Sequence, residues 1–133
     1  MSFKFPKKRP AFTLIEIIVV IAIIAMMVVI IVPMIAVSFK RSRAGVVLND
    51  LKTLDTAIHQ YATDTEKNSG FNPDYQDLKK YLDKNSQVYR SDGKDSRGNV
   101  YGPFTVGAPP KVPENTYFYF SGVVDDSFWS VYH

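Results

Sequence analysis

The sequence predicts an α+β protein: one long N-terminal helix that packs on a small C-terminal antiparallel β-sheet domain. Three observations predict this class. An uncharged apolar run covers Ile17–Val37, apolar residues at helical spacing follow over Val47–Tyr61, and the rest of the chain is rich in glycine, proline, valine and aromatic residues. The long helix therefore has a transmembrane half followed by an amphipathic half.

The apolar run is long enough to cross a membrane. Ile17–Val37 contains 21 residues and no charged side chain, and a helix of that length reaches roughly 30 Å, the thickness of a bilayer's hydrocarbon core. Charge does not fix the orientation of this span, because basic residues flank both of its ends: Lys4, Lys7, Lys8 and Arg9 before it, and Lys40, Arg41 and Arg43 after it.

This N-terminal segment has three interpretations. A secretory signal peptide has a shorter apolar region of about 7–15 residues, and the best cleavage candidate here is only Met34-Ile35-Ala36, next to Pro33. A plain membrane anchor explains the length of the run but not Glu16 at its edge, because carboxylates near membranes are costly and usually functional. The third interpretation comes from a resemblance.

The segment Ala11-Phe12-Thr13-Leu14-Ile15-Glu16, after a basic leader and before the apolar run, resembles the class III signal of type IV pilins and type II secretion pseudopilins. The resemblance implies that a prepilin peptidase cuts between Ala11 and Phe12 and methylates the new amine of Phe12. It also places Pro33 where the family commonly has a helix-kinking proline. Ala11 stands where the family usually has glycine, so we expect slower or equal processing.

The resemblance gives Glu16 a role in assembly. Cleavage leaves a positive amine on Phe12 near the bilayer, and an opposite charge offsets the cost of placing it there. Glu16 would pair with this amine in its own chain or in a neighbouring one, and so set the register of subunits in a filament. The alternative is that Glu16 simply lies among the headgroups. Thr13 either bonds to the backbone or is merely tolerated.

The implied domains are a cleaved leader at 1–11, a transmembrane and filament-core helix at 12–37, and an extracytoplasmic pilin-like domain at 38–133. The leader holds four of the 16 basic residues and none of the 13 acidic ones, so the mature chain has 12 basic against 13 acidic side chains. This balance gives no support to nucleic-acid binding. The chain has no cysteine, which favours the pseudopilin branch over disulfide-bearing pilins.

The long helix is predicted from about Phe12 to about Thr65, with one apolar stripe formed by Val47, Leu51, Leu54, Ile58 and Tyr61. A free amphipathic or coiled-coil helix is the alternative, but the stripe covers barely two heptads. Lys67-Asn68-Ser69-Gly70 should end the helix. A second helix is predicted from about Pro73 to Lys84, because Asn72-Pro73 is typical of a helix start.

Four strands are predicted by their valine and aromatic content: Gln87–Arg90, Val100–Val106, Thr116–Phe120 and Phe128–Tyr132. Gly107–Pro113 should be a loop. The segment Asp95-Ser96-Arg97-Gly98-Asn99-Val100-Tyr101 is similar to an Asp-Pro-Trp-Gly-Asn-Pro-Tyr motif of major pseudopilins, with four of seven residues matching: Asp95, Gly98, Asn99 and Tyr101.

Catalysis is not predicted, since the two histidines, His59 and His133, lie on a polar helix face and at the C-terminus, and no nucleophile or phosphate-loop motif occurs. No cofactor is expected apart from calcium, which major pseudopilins often hold. Calcium takes six to eight oxygen ligands, and its weak candidates are Asp92, Asp95, Asp125 and Asp126. The alternative is that these aspartates only shape turns.

The resemblance therefore implies a structural subunit, closest to the major (G-type) pseudopilin of a type II secretion system. Such a subunit is a single-pass protein of the bacterial inner membrane with a periplasmic domain. It forms a helical homo-oligomer that drives exoprotein export, and its partners are the prepilin peptidase, an inner-membrane assembly platform and minor pseudopilins. The alternatives are a type IV pilus subunit for adhesion, motility or DNA uptake, and a membrane-anchored binding domain that does not polymerise.

Overall fold

The computed structural model describes Ser2 and Thr13–His133. Within these residues the chain forms helices and loops and contains no β-strand. The α-helices are α1 (Leu14–Thr65), α2 (Tyr75–Lys79), α3 (Gln87–Arg90), α4 (Glu114–Phe120) and α5 (Asp126–Trp129), and a 3-10 helix covers Ser130–Tyr132. The chain divides into two units, Met1–Ala36 and Val37–His133.

The described part of the first unit is the start of α1. Every residue from Leu14 to Ala36 is exposed, although almost all of them are apolar. The most apolar window of α1 has a mean hydropathy of 3.4, and by length and composition α1 can cross a membrane. The helix continues through Pro33.

The second part of α1 buries one stripe in the core of the second unit. Its fully buried apolar residues recur at helical spacing: Ala44, Val47, Leu51, Leu54, Ala57 and Ile58. The helix ends where Glu66 takes a left-handed conformation with a φ of 53°, and the Lys67 N–H donates to the Ala62 carbonyl at 3.2 Å. This bond is the outer one of a Schellman cap, in which glycine is the usual left-handed residue.

The shorter helices depend on their caps and on tertiary packing, since helices of four to seven residues are not stable alone. Asp74 caps α2 in a reciprocal capping box with Asp77. Ser86 caps α3 by accepting from the Tyr89 N–H, and Asp125 caps α5 by accepting from the Phe128 N–H.

The core of the second unit forms where these short helices and the loops between them cover the α1 stripe. Its largest fully buried side chains outside α1 are Trp129, Tyr101, Phe120, Leu78 and Val88. They come from α5, α4, α2, α3 and the loop between α3 and α4, so every short α-helix contributes to one hydrophobic cluster.

The predicted antiparallel sheet is wrong: residues 13–133 contain no strand, and their only ladder contact is an isolated bridge between Lys94 and Val100. Gln87–Arg90 is α3, Thr116–Phe120 lies inside α4, Phe128–Tyr132 spans the end of α5 and the 3-10 helix, and Val100–Val106 is a loop that ends in a turn. The predicted second helix is also shorter than expected, because α2 covers only Tyr75–Lys79.

The aromatic segment in α4 shows why the strand prediction failed. A strand would place alternate residues on one face, but the buried residues here are Thr116 and Phe120, four positions apart, while Phe118 is exposed. A separation of four is the helical period. Aromatic and β-branched residues favour strands only when they fit a pleated, half-buried surface, and no second strand pairs with this segment in the described chain.

Candidate functional site

The N-terminal end of α1 contains two polar residues of the predicted signal, Thr13 and Glu16. The Glu16 N–H lies 3.4 Å from the Thr13 hydroxyl oxygen, and the Thr13 N–H donates to Glu16 Oε2 at 3.3 Å. The Thr13 carbonyl accepts from the N–H groups of Glu16 and Ile17 at 3.1 and 3.3 Å. The two side chains therefore form a capping box: the Glu16 carboxylate gives the Thr13 amide a partner, and the Thr13 hydroxyl gives the Glu16 amide a second acceptor.

The sequence analysis did not predict this capping role. It predicted a charge-pairing role for Glu16 and no definite role for Thr13. The signal was present, because Thr13 precedes Glu16 by three residues directly before an apolar run, and that spacing is typical of a capping box. Glu16 also lies in the first turn of α1, where its negative charge interacts favourably with the positive end of the helix dipole.

Glu16 lies beside an apolar groove on the surface of α1, lined by Ile17, Val20 and Ile21. All of these side chains are exposed, so the carboxylate lies at the edge of a surface that only lipid or another apolar surface would cover favourably. The proposed cleavage site, Ala11 and Phe12, lies outside the described residues. Cleavage there and pairing of Glu16 with the Phe12 amine therefore stay predictions.

In the second unit, the Asp95–Tyr101 segment forms a hydrogen-bonded loop. Asp95 is buried, and its Oδ1 accepts from the N–H groups of Arg97 and Asn99 at 2.8 and 2.9 Å. Its other carboxylate oxygen accepts from the Thr116 hydroxyl, which in turn accepts from the Asn99 side-chain amide at 2.8 Å. The Gly98 N–H donates to the Asp95 carbonyl at 3.0 Å, so three of the matching motif residues hold the loop closed.

The fourth matching residue, Tyr101, attaches this loop to α1. Its hydroxyl donates to Oδ2 of Asp50 at 3.0 Å, and both side chains are buried. Burial raises the pKa of Asp50 to about 6; the hydrogen bond from Tyr101 lowers that pKa, and the negative charge of Asp95 adds to the increase. Burial is also the main cause that raises the pKa of Tyr101, followed by the charge of Asp50.

The four weak calcium candidates lie in separate environments. Asp92 forms an ion pair with Lys79 at 3.1 Å, and Asp95 accepts from the backbone amides of its loop. Asp125 caps α5, and Asp126 accepts a hydrogen bond from the Tyr117 hydroxyl. Across Ser2 and 13–133, no group of three or more His, Asp or Glu side chains could hold a metal ion. The aspartates therefore do not fit one calcium ligand set.

His59 pairs with an acid on its own helix. Its side chain is exposed, and its Nε2 is 3.5 Å from Oδ1 of Asp55, one turn earlier on α1. Asp55 also accepts from the Tyr132 hydroxyl at 3.2 Å. The hydrogen bond between Tyr132 and Asp55 therefore attaches the C-terminal 3-10 helix to α1, which is a structural role.

Comparison with known families defines the N-terminal site. Residues 6–32 match the family described as a prokaryotic N-terminal methylation motif. The match includes the proposed cleavage site, the Thr13–Glu16 capping box and most of the apolar part of α1. No curated protein and no solved structure matches the chain.

The chain thus carries a prepilin-type signal. This motif supports a type IV pilin-like filament subunit, and it implies processing by a prepilin peptidase and assembly into a filament. Together with the long apolar part of α1, the motif is compatible with a membrane-anchored, single-pass protein.

Proposed function

We propose that this protein is a pseudopilin of a type II secretion system. After cleavage before Phe12, the protein would remain in the inner membrane through α1, with residues 38–133 in the periplasm. An assembly platform would then extract copies of the helix into a short filament, with minor pseudopilins as partners, that pushes folded exoproteins outwards. The proposal depends above all on one observation: a methylation motif whose glutamate lies in the first turn of an exposed, apolar helix.

The energetic reason for assembly follows from that helix. In the described chain, the apolar side chains from Leu14 to Val37 are all exposed, so they need a lipid or protein environment. A lone carboxylate in such a surface favours a position where a cation can pair with it. A methylated amine on Phe12 of a neighbouring copy would be that cation, and it would select one axial register.

The pseudopilin branch is favoured by the Asp95–Tyr101 segment. All four residues that match the major pseudopilin motif form the hydrogen bonds that close the loop or attach it to α1. A surface type IV pilus is the alternative within the same class. Deleting the gene should block export of exoproteins if the pseudopilin proposal is right, and should abolish surface fibres with export intact if the chain is a pilus subunit.

The assembly step is best tested with three variants that separate charge from capping. Glu16→Gln removes the charge and keeps a residue that serves in a capping box; Thr13→Ala removes the hydroxyl half of the box and keeps the charge; Glu16→Ala removes the charge and the carboxylate half of the box. We expect cross-linking in cells to give ladders for the native chain and for Thr13→Ala, and monomers for both Glu16 variants. Ladders for Glu16→Gln together with monomers for Thr13→Ala would contradict charge pairing, because Glu16 would then act only through the cap.

A native chain that stays monomeric in every condition would overturn the filament proposal and favour a membrane-anchored binding domain. The processing step has its own test, since the mass of the protein isolated from its cells should correspond to a chain that begins at methylated Phe12. A chain that still begins at Met1, or that begins after Pro33, would contradict it.

A further inference from the structure

A cluster of basic residues lies in α1 directly after the apolar run. Lys40, Arg41 and Arg43 follow Val37 within two helical turns. Lys40 precedes Ala44 by four residues, so it lies one turn before the buried stripe and on the same face. An apolar residue would suit that face, and the lysine there is half-buried.

The fold adds a fourth basic residue to this cluster. Two cations contact the ring of Tyr119 in α4. The Lys40 ammonium nitrogen lies 4.5 Å from the ring centroid, and the Arg97 guanidinium carbon lies 3.5 Å from it. Because these two distances add to 8.0 Å, the two positive charges can be no further apart than that. Two cations 57 residues apart in sequence are therefore held together by one aromatic ring.

Within the described residues, none of these four cations forms a salt bridge, since the two ion pairs there involve His59 and Lys79. One acid lies near Arg41: a hydrogen bond from Ser127 is the main cause that lowers the pKa of Asp125, and the charge of Arg41 contributes. Four cations with a single carboxylate beside them, that of Asp125, leave an excess of positive charge that favours binding of an external anion.

We propose that Lys40, Arg41, Arg43 and Arg97 form a binding surface for the anionic headgroups of membrane phospholipids. This inference depends on the proposed membrane span in α1. Three of the four residues directly follow that span in sequence, where lipid phosphates are the nearest abundant anions. Phe39, which is also exposed, suits the interfacial region just before them.

The test counts lipids bound to the full chain purified in detergent. The chain is titrated with phosphatidylglycerol or phosphatidylcholine, and native mass spectrometry measures how many lipids stay bound. We expect several-fold stronger retention of phosphatidylglycerol by the native chain. Replacing all four surface residues by Gln should reduce this retention to the phosphatidylcholine level, and added salt should weaken it in the native chain.

A matched control removes four positive charges elsewhere, by Gln substitution at Lys80, Lys84, Lys94 and Lys111, all of which are exposed. Phosphatidylglycerol retention should survive in this control. It should also survive when Lys replaces Arg at 41, 43 and 97, which keeps the charge. The basic leader, if retained, is present in every variant and cancels from the comparison.

Equal retention of both lipids by the native chain, or equal loss in the control, would overturn the proposal. The proposal would also be overturned if the variant with Gln at all four surface residues lost cross-linking between copies but kept its phosphatidylglycerol retention. That result would assign the surface to a second copy of the chain. Failure of the membrane span is a separate result, since the native chain would then leave the membrane fraction on alkaline carbonate extraction.

Discussion

Replacement of Asp50 by Asn should change how stability depends on pH. Asp50 is 2% exposed and accepts one hydrogen bond, from Tyr101 at 3.0 Å. Burial raises the pKa of Asp50 from 3.8 to about 6, because removal from water penalises the charged form. The folded protein therefore holds this proton more tightly than the unfolded chain does.

The sign and size of the effect follow from that difference. Below pH 3.8, Asp50 is protonated in both states and its stabilising contribution is complete; as the pH rises towards 6, the unfolded chain loses the proton first and the contribution is lost. A gap of about two pKa units corresponds to about 3 kcal/mol. The free energy of unfolding of Asp50→Asn, relative to the native chain, should therefore increase by about 3 kcal/mol from acid to neutral pH.

Trp129 makes this measurable, because it is the single tryptophan and is fully buried. Its fluorescence would follow urea unfolding of the full chain in detergent over a series of pH values. The comparison between pH values removes any constant cost of the new Asn amide. Tyr101→Phe is the companion variant: it removes the bond that lowers the pKa of Asp50, so its destabilisation should be larger at neutral than at acid pH. A difference between Asp50→Asn and the native chain that does not vary with pH would refute this reasoning.

Three further outcomes are expected with the same unfolding assay. Thr116→Val removes the hydroxyl that joins Asp95 to Asn99 and should cost about 1–3 kcal/mol, because it leaves buried polar groups without a partner; an unchanged midpoint would contradict this. Asp74→Ala removes the cap of α2 and should cost about 1 kcal/mol, whereas Asp74→Asn should cost less. The urea midpoint should be equal with calcium and with chelator, and a clear rise with calcium would show that the protein does bind it.

The long helix could be predicted because its signals extend over many residues. The uncharged run Ile17–Val37 and the stripe from Val47 to Tyr61 each repeat one pattern over several turns, and α1 indeed covers Leu14–Thr65. Errors at single positions average out over such a length. Pro33 did not obscure the prediction, and α1 continues through it.

The C-terminal region could not be predicted in this way, since each of its helices is only four to seven residues long. At that length, periodicity hardly separates a helix from a strand. The capping residues carried the usable information: Ser86 precedes α3 and Asp125 precedes α5. Both residue types are typical N-caps, and they were outweighed by the aromatic and valine content of the segments that follow them.

The candidate sites divide in a similar way. Glu16 could be predicted as a functional residue because a lone acid beside an apolar run is conspicuous. The capping role of Thr13 could have been predicted from its position three residues before Glu16. Asp50 also carried a signal, because it lies among Val47, Leu51 and Leu54 on the buried side of α1. Its partner Tyr101 is 51 residues away, and only tertiary structure brings such residues together.

In the proposed cycle, one end of the apolar part of α1 favours the subunit in the bilayer, and the other end favours the subunit in the filament. Headgroup contacts at Lys40, Arg41 and Arg43 would stabilise the subunit in the bilayer, and these contacts must break when the helix leaves it. Pairing of Glu16 with an amine of the next copy becomes available only in the filament, so it can offset that loss. Weakening the basic surface should therefore ease extraction, whereas Glu16→Gln should leave the subunit in the membrane. Opposite effects on assembly from the two ends of one helix are what distinguish this cycle from simple anchoring.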